Sequence, residues 1–514
     1  MAGVVFELFF IRHRIFSYIS AVLLALCICA LQGCNSCSEK DPPSRNTLII
    51  FVDTLRADHL GAYGYNKPTS PFLDTLAAEG VMFNSAYAPT PWTYSSVASL
   101  FTGLYPTAHN AIIPGRIRNE AKSKGKVTKL NPGAVTMADI ANKAGIKTAL
   151  IARNSYLGHG IQKGFRHYDN EKGRNAAQQT DLAIEWIKQL DADDRFLMVV
   201  HYMDVHQPNR SRSMDRAHFP SVADLNKEER KYYRRWDKKY ANANPEKVRG
   251  YGLYRPRRIG MYDASIRYVD SQIERLVESL GQRKDDTLII FLSDHGEEFW
   301  DHHELESRLW DLPPGRLGEN HGHTFFEEMV RVPLLVHQPG LIKPGVIKEN
   351  ASLLDVLPTV ADLMEIPDTA KREGVSLAPA LLRKGKVPDR PLIFDAVCYG
   401  HDKQGLLDSD LKFIQSWNEP SCLFDLENDP SERKNAADGR KSDVKAMSDK
   451  LQKLLQASRA LGDSIRGGKK LEIHQFDKQE LKALQALGYF EDDSQSGDKN
   501  DEKAGSPAQK DGGK

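Results

Sequence analysis

The chain has 514 residues, of which 70 are Lys or Arg and 69 are Asp or Glu, so its formal charge is +1 with neutral histidine. Forty per cent hydrophobic and 27% charged residues make ordinary material for a large folded core and exclude disorder of the whole. Charge this balanced argues against a nucleic-acid coat, which needs a net basic face, and no nucleic-acid partner is expected.

At the start of the chain Arg12, His13 and Arg14 precede an apolar run over 15–31, and polar residues resume at Asn35. That is the layout of a bacterial export signal. The run closes on Leu31-Gln32-Gly33-Cys34, which resembles a lipobox, where a bacterial lipoprotein is cut before the cysteine and the cysteine is acylated. The expectation is a signal peptide over 1–33, a linker over 34–45, and a body tied to the membrane of the cell envelope through Cys34. In a Gram-negative cell that means the outer membrane or the periplasmic face. Two or more acyl chains hold such an anchor firmly. The alternative is an uncleaved anchor, since about 17 apolar residues nearly span a bilayer. Beyond Cys27, Cys29 and Cys34, only Cys37, Cys398 and Cys422 remain. No close-spaced pair points to a disulfide framework or a cysteine zinc site, and the pairing left open is Cys398 with Cys422.

Apolar runs over 48–52, 149–152, 196–200, 288–292 and 332–336 predict strands buried on both faces, as in a parallel or mixed sheet. Helical patterns lie between them. The clearest predicts a helix over 264–280, with Ile266, Val269, Ile273, Leu276, Val277 and Leu280 on one stripe and Arg267, Asp270, Glu274 and Glu278 facing away. Alternating strands and helices give an α/β class with helices on both sides of the sheet. From 210 to 258 the texture changes to 15 Lys or Arg against 6 Asp or Glu, with interleaved Tyr and Trp. This basic insertion reads either as a solvated helical excursion or as a flap that recognises an anionic or sugar-bearing substrate. Residues 491–514 have no large apolar side chain and are expected to form a disordered tail.

Three clusters fall where strands should end: Asp53-Thr54, then His201 with Asp204 and His206, then Asp294-His295. Ligands of open α/β sheets bind beyond the carboxyl ends of the strands, so chain-distant residues can converge there. Carboxylate with imidazole suits a divalent metal. Each Asp alone reads as a cap or turn former; together they do not. Between the clusters, Thr93 opens a hydroxyl-rich stretch leading into a helical run. It reads either as an N-cap, with Ser96 completing the turn, or as a hydroxyl activated at a helix N-terminus beside a metal.

The stretches 46–65 (NTLIIFVDTLRADHLGAYGY), 88–106 (APTPWTYSSVASLFTGLYP), 196–208 (FLMVVHYMDVHQP), 262–280, 288–298 (LIIFLSDHGEE) and 321–336 (HGHTFFEEMVRVPLLV) resemble successive motifs of the sulfatase family, within the alkaline phosphatase superfamily, in the family's order. Segments 352–359 and 423–430 resemble its later pieces. The resemblance implies a mostly parallel central sheet flanked by helices over 46–345 and a smaller C-terminal α+β subdomain over 346–490. It implies that Asp53, Asp294 and His295 bind a divalent cation (Ca, Mn or Zn), that Thr93 is the nucleophile and also touches the metal, and that His206 and His323 contact the transferred group or its leaving oxygen. Asp204, His206 and His323 are open as a second metal site.

The sequence also departs from the family pattern. Where formylglycine-dependent sulfatases have Cys or Ser, then Pro two places on and Arg four places on, this chain has Thr93, Ser95 and Val97, and Thr54 replaces a second aspartate. Threonine cannot yield the aldehyde. The resemblance therefore implies a metal-dependent hydrolase cleaving phosphate, phosphonate or sulfate esters through a threonine. An envelope phosphoethanolamine- or glycerophosphate-type transferase and a non-catalytic glycan-binding lipoprotein are the alternatives. The expected partner is an anionic ester, carried by a glycan or lipid.

Overall fold

The computed structural model describes residues 43–115, 117–118, 125–171, 173–223, 251–312 and 318–486. The leader, Cys34, Cys37, residues 224–250 of the basic insertion and the tail over 491–514 lie outside the described residues. Among the described residues no helix is long and apolar enough to cross a membrane.

In chain order the principal strands are β1 (Asn46–Val52), β2 (Val81–Phe83), β3 (Lys126–Thr128), β4 (Lys147–Ile151), β5 (His167–Asp169), β6 (Phe196–Tyr202), β7 (Thr287–Ser293), β8 (Leu334–His337), β9 (Gly345–Ile347), β10 (Leu392–Phe394), β11 (Lys403–Asp408), β12 (Leu411–Ser416), β13 (Cys422–Asp425) and β14 (Ile473–Gln475). The principal helices are α1 (Pro71–Glu79), α2 (Thr93–Thr102), α3 (Met137–Lys143), α4 (Ala176–Lys188), α5 (Tyr251–Glu278), α6 (His303–Leu309), α7 (Val356–Leu363), α8 (Lys441–Arg466) and α9 (Lys478–Ala486).

The central sheet has eight strands in the order β9-β2-β8-β7-β1-β6-β4-β5. Only β8 runs against the others. The expected α/β class with a mostly parallel, helix-flanked sheet is what the structure contains. Its strands read as continuous apolar runs because both faces are covered. Along β1, Ile49 and Phe51 enter one core with α2, α3 and α7, while Leu48, Ile50 and Val52 enter a second core with α1, α4 and α5.

Three sequence expectations need correction. The run 332–336 is not one strand: Pro333 has no N–H to give, so Val332 pairs with Ala86 in a separate small sheet and β8 starts only at Leu334. The helix expected over 264–280 starts at Tyr251, inside the basic insertion, and runs through Pro256. Its stripe is buried as expected, yet Asp270 does not face away. It is buried and accepts the backbone N–H groups of Phe72 and Leu73, capping α1 from outside. Burial pushes its carboxyl up to about 7, although these two bonds work against the shift.

β10 to β13 form a four-stranded antiparallel sheet, and α8 lays Met447, Leu451 and Leu455 on its Ile393, Leu406, Phe413 and Leu423 face. The described residues from Ser44 onward cluster as one compact unit. Cys398 and Cys422 are both buried and neither is in a disulfide, so the pairing considered for them is not made. They sit in different hydrophobic clusters.

Candidate active site

β1 and β7 are adjacent and parallel, with Val52 level with Ser293, so the residues that follow them emerge side by side. Those residues are Asp53, and Asp294 with His295. α2 begins at Thr93 against the same edge. Thr93 is its first helical residue rather than its cap, and the cap position, Trp92, makes no side-chain capping bond. Ser96 does not complete the turn either: its hydroxyl donates to the Asp294 carbonyl at 2.6 Å and ties α2 to the loop after β7.

The four side chains are fully buried. Thr93 Oγ1 lies 3.3 Å from Asp53 Oδ2 and 3.3 Å from His295 Nε2. His295 Nε2 is in turn 3.6 Å from Asp53 Oδ1 and 3.5 Å from Asp294 Oδ2. One donor atom from each of Asp53, Asp294 and His295 lies within 4.8 Å of the other two. Asp53 Oδ1 and Asp294 Oδ2 are buried without a hydrogen bond. The cost of such orphaned carboxylate oxygens is removed by a cation. His295 Nδ1 hydrogen-bonds the Gly296 carbonyl at 2.9 Å, which leaves the lone pair on Nε2 facing the two acids. Burial and the adjoining His321 push this imidazole down to about 3, so it is neutral at ordinary pH.

The two acids are electrostatically opposed. Burial raises Asp53, but its bond to His201 and the surrounding histidines outweigh that and hold it well below the usual carboxylate range. Burial and the Asp53 charge push Asp294 well up. Without a cation, the pair therefore keeps one proton, as like charges in one dry site must.

Sequence reasoning missed several participants. Asn154 Nδ2 and His201 Nε2 reach Asp53 Oδ2 at 3.3 and 3.1 Å. His201, noticed only as part of a cluster, stacks on Phe51 at 4.2 Å between centroids, which fixes its ring. The larger omission is His321. Its ring lies 4.5 Å from that of His295 and 5.0 Å from that of His206, and its Nδ1 meets Glu297 Oε2 at 3.3 Å. Glu297 is held down to about 2: burial raises it, but His321 more than compensates.

His323 is elsewhere. Its Nε2 lies 3.0 Å from Glu298 and 3.2 Å from Glu306, in a fully buried cluster. The resemblance implied that His323 contacts the transferred group; the structure seats its Nε2 on these two glutamates, while His321, two residues earlier, lies beside His206 and His295. Gly322 makes the difference. It sits at φ 91°, where a Cβ would come within 3.0 Å of the Tyr399 ring, and its carbonyl accepts the N–H groups of Cys398 and Tyr399. This turn sends the two histidines apart. Asp204 faces Arg153 at 3.6 Å, and among the described residues Asp204, His206 and His323 do not come together as the second metal site that the resemblance left open. His206 is buried beside His321, and its Nδ1 hydrogen-bonds the Gln207 carbonyl at 2.6 Å.

The departures from the motif are equally concrete. Thr54 turns its hydroxyl onto the Asp53 carbonyl and offers no ligand, and Val97 lies in the apolar core.

A sequence model described as "Sulfatase" matches residues 45–366, and one described as "N-sulphoglucosamine sulphohydrolase, C-terminal" matches 320–460. Bovine arylsulfatase A is 29% identical over 455 residues, covering 77% of this chain and 84% of its own. N-acetylglucosamine-6-O-sulfatase of Bacteroides thetaiotaomicron is 22% identical over 520 residues, covering 81% and 87%. A structure solved with its substrate D-glucosamine-2-N,6-O-disulfate superposes with a TM-score of 0.63 at 20% identity, covering 83% of this chain and all of that one. Phosphonate monoester hydrolase of Agrobacterium radiobacter superposes with a TM-score of 0.58 at 21% identity, covering 81% and 96%.

Proposed function

The chain belongs to the sulfatase family of ester hydrolases, and we propose that it is a metal-dependent hydrolase of anionic esters with Thr93 as nucleophile and Asp53, Asp294 and His295 as metal ligands. The observation that carries this reading is the approach of the Thr93 hydroxyl to 3.3 Å from both Asp53 and His295 in a fully buried cluster. The orphaned acid oxygens and the imidazole lone pair fit a divalent ion such as Ca, Mn or Zn. Such an ion, when bound, lowers the pKa of the hydroxyl and screens the charge of the ester.

The remaining steps belong to the chain. Thr93 Oγ1 attacks the central sulfur or phosphorus; the new bond forms as the ester bond breaks, and the electron pair leaves on the departing oxygen. His321, oriented by ionised Glu297, gives that oxygen its proton. His206, kept neutral by burial, turns Nδ1 to a backbone carbonyl and accepts protons at Nε2. Together they relay to the leaving group the proton that Thr93 gives up. In the second step water attacks the threonine ester, and Thr93 regains its proton as the acid is released.

Sulfate esters of sugars are the first substrate class, supported by the relatives. Thr93 and Val97 favour phosphate or phosphonate esters as the second. A panel of aryl sulfate, phosphate and phosphonate esters, run with Ca, Mn and Zn, separates the two. Thr93→Ala should lower turnover about 10³-fold or more, and intact wild type should gain one sulfuryl or phosphoryl group on Thr93 with a slow substrate. Full activity in the variant would remove the nucleophile. Asp294→Asn and chelation should each abolish turnover while circular dichroism stays unchanged; metal-independent turnover contradicts the ligand set. The lipobox-like segment supports an acylated Cys34 on the cell envelope, and palmitate labelling that survives Cys34→Ala would reject it.

A further inference from the structure

Outside the candidate active site the described residues hold a further group of side chains able to ligate a metal, drawn from distant parts of the chain. His159 follows the short turn Ser155–Leu157. His474 lies in β14, which pairs antiparallel with β3, His474 opposite Val127. Glu480 is in the first turn of α9. One donor atom from each lies within 4.8 Å of the other two. The imidazoles stack with centroids 3.9 Å apart, and both turn Nε2 to the same carboxylate: His474 at 3.0 Å, His159 at 3.6 Å. A tetrahedral zinc with bonds of about 2.0–2.1 Å sets its ligand atoms about 3.3–3.4 Å apart, so small side-chain rotations suffice.

His159 supplies the second observation. Its side chain is 10% exposed, yet Nε2 is buried without a hydrogen bond. It also sits at φ 56°, a left-handed conformation that a non-glycine residue adopts at a cost. Phe476 packs edge-on against both imidazoles, and Tyr156 packs edge-on against Phe476. The nearby Lys129 is occupied by Glu472 at 2.8 Å.

We propose that His159, His474 and Glu480 form a zinc site, with water in the fourth position, that fastens β14 and α9 to the body of the protein. Two imidazoles and one carboxylate are a donor set for zinc rather than for calcium or magnesium, which prefer all-oxygen shells. Glu480 also accepts the Asp477 N–H at 2.8 Å, so its carboxylate is already held in place. The site does not depend on the catalytic reading.

The test uses the full chain, stripped of metal and titrated with zinc, beside His474→Gln and Glu480→Gln. Wild type should bind one equivalent of zinc more than either variant, melt at a higher temperature with zinc than without, and resist proteolysis over 473–486 when loaded. Cobalt should give wild type a visible tetrahedral band that both variants lack. Turnover of a small aryl ester should be the same in all three proteins, which shows that the variants fold. Equal zinc equivalents in wild type and both folded variants, or a wild-type melt indifferent to zinc, would overturn the proposal.

Discussion

Thr93, Asp53, Asp294 and His295 show how far single residues can be read without coordinates. Asp53 and Asp294 directly follow strands, His295 comes next after Asp294 and Thr93 opens a helix, and in an α/β sheet those positions share one edge. His321 and His323 could not be separated in this way, because two histidines two residues apart fit either role until the Gly322 turn is known. They have opposite expected phenotypes. His321→Ala should cut turnover by about 10²–10³-fold with little change in melting. His323→Ala should cost about 3–5 kcal/mol of stability, since it leaves the ionised, buried Glu306 without its cation. Parallel kinetics and denaturant melts decide the assignment; it is wrong if His323→Ala keeps its stability and loses turnover.

At the scale of elements, periodicity revealed the long helix and missed its start, because the hydrophobic stripe begins only where α5 reaches the sheet. It also misassigned Asp270, since an exposed-looking position on one helix can cap another. The segment between β7 and β8 carries a testable charge balance. Burial lowers His323, but Glu306 and Glu298 outweigh it and raise the imidazole to about 9. Burial likewise lowers His302, but Glu328 at 2.7 Å raises it to about 10. Burial and Glu306 raise Glu298 to about 8. All three groups hold protons more tightly when folded, so their contribution is lost as pH rises. For the histidines it is complete below about 6.5 and fades through 9 to 10. Urea melts should therefore show stability falling from pH 6.5 to 9.5, with a shallower fall in His323→Gln. An equally steep fall in that variant would exclude His323 as a source.

For the whole molecule, the C-terminal portion is part of the active-site support. The Ala396 carbonyl accepts from Trp92 Nε1 at 2.6 Å and from Thr90 Oγ1 at 3.0 Å, just before Thr93. Cys398 and Tyr399 hold the Gly322 carbonyl, and with it the turn that aims His321. A chain ended at 345 should therefore lose turnover by about 10²-fold or more even where it remains soluble. Near-normal kcat in the truncated protein would show that the sheet and α2 suffice. Removing residues 224–250 should instead change KM for a polymeric anionic substrate more than kcat for a small aryl ester.

The amino-acid order by itself determined the sheet and the flanking helices, because both follow from hydrophobic period, and the resemblance to sulfatase motifs pointed to Asp53, Thr93, Asp294 and His295 at the ends of those elements. Only the tertiary structure decided that His321 lies beside His206 and His295 while His323 meets Glu298 and Glu306, that Asp204 pairs with Arg153, that Cys398 and Cys422 stay apart, and that His159 meets His474. Those facts depend on where loops turn and which distant segments they meet. A backbone at positive φ or a carbonyl caught from across the fold leaves no periodic trace along the chain.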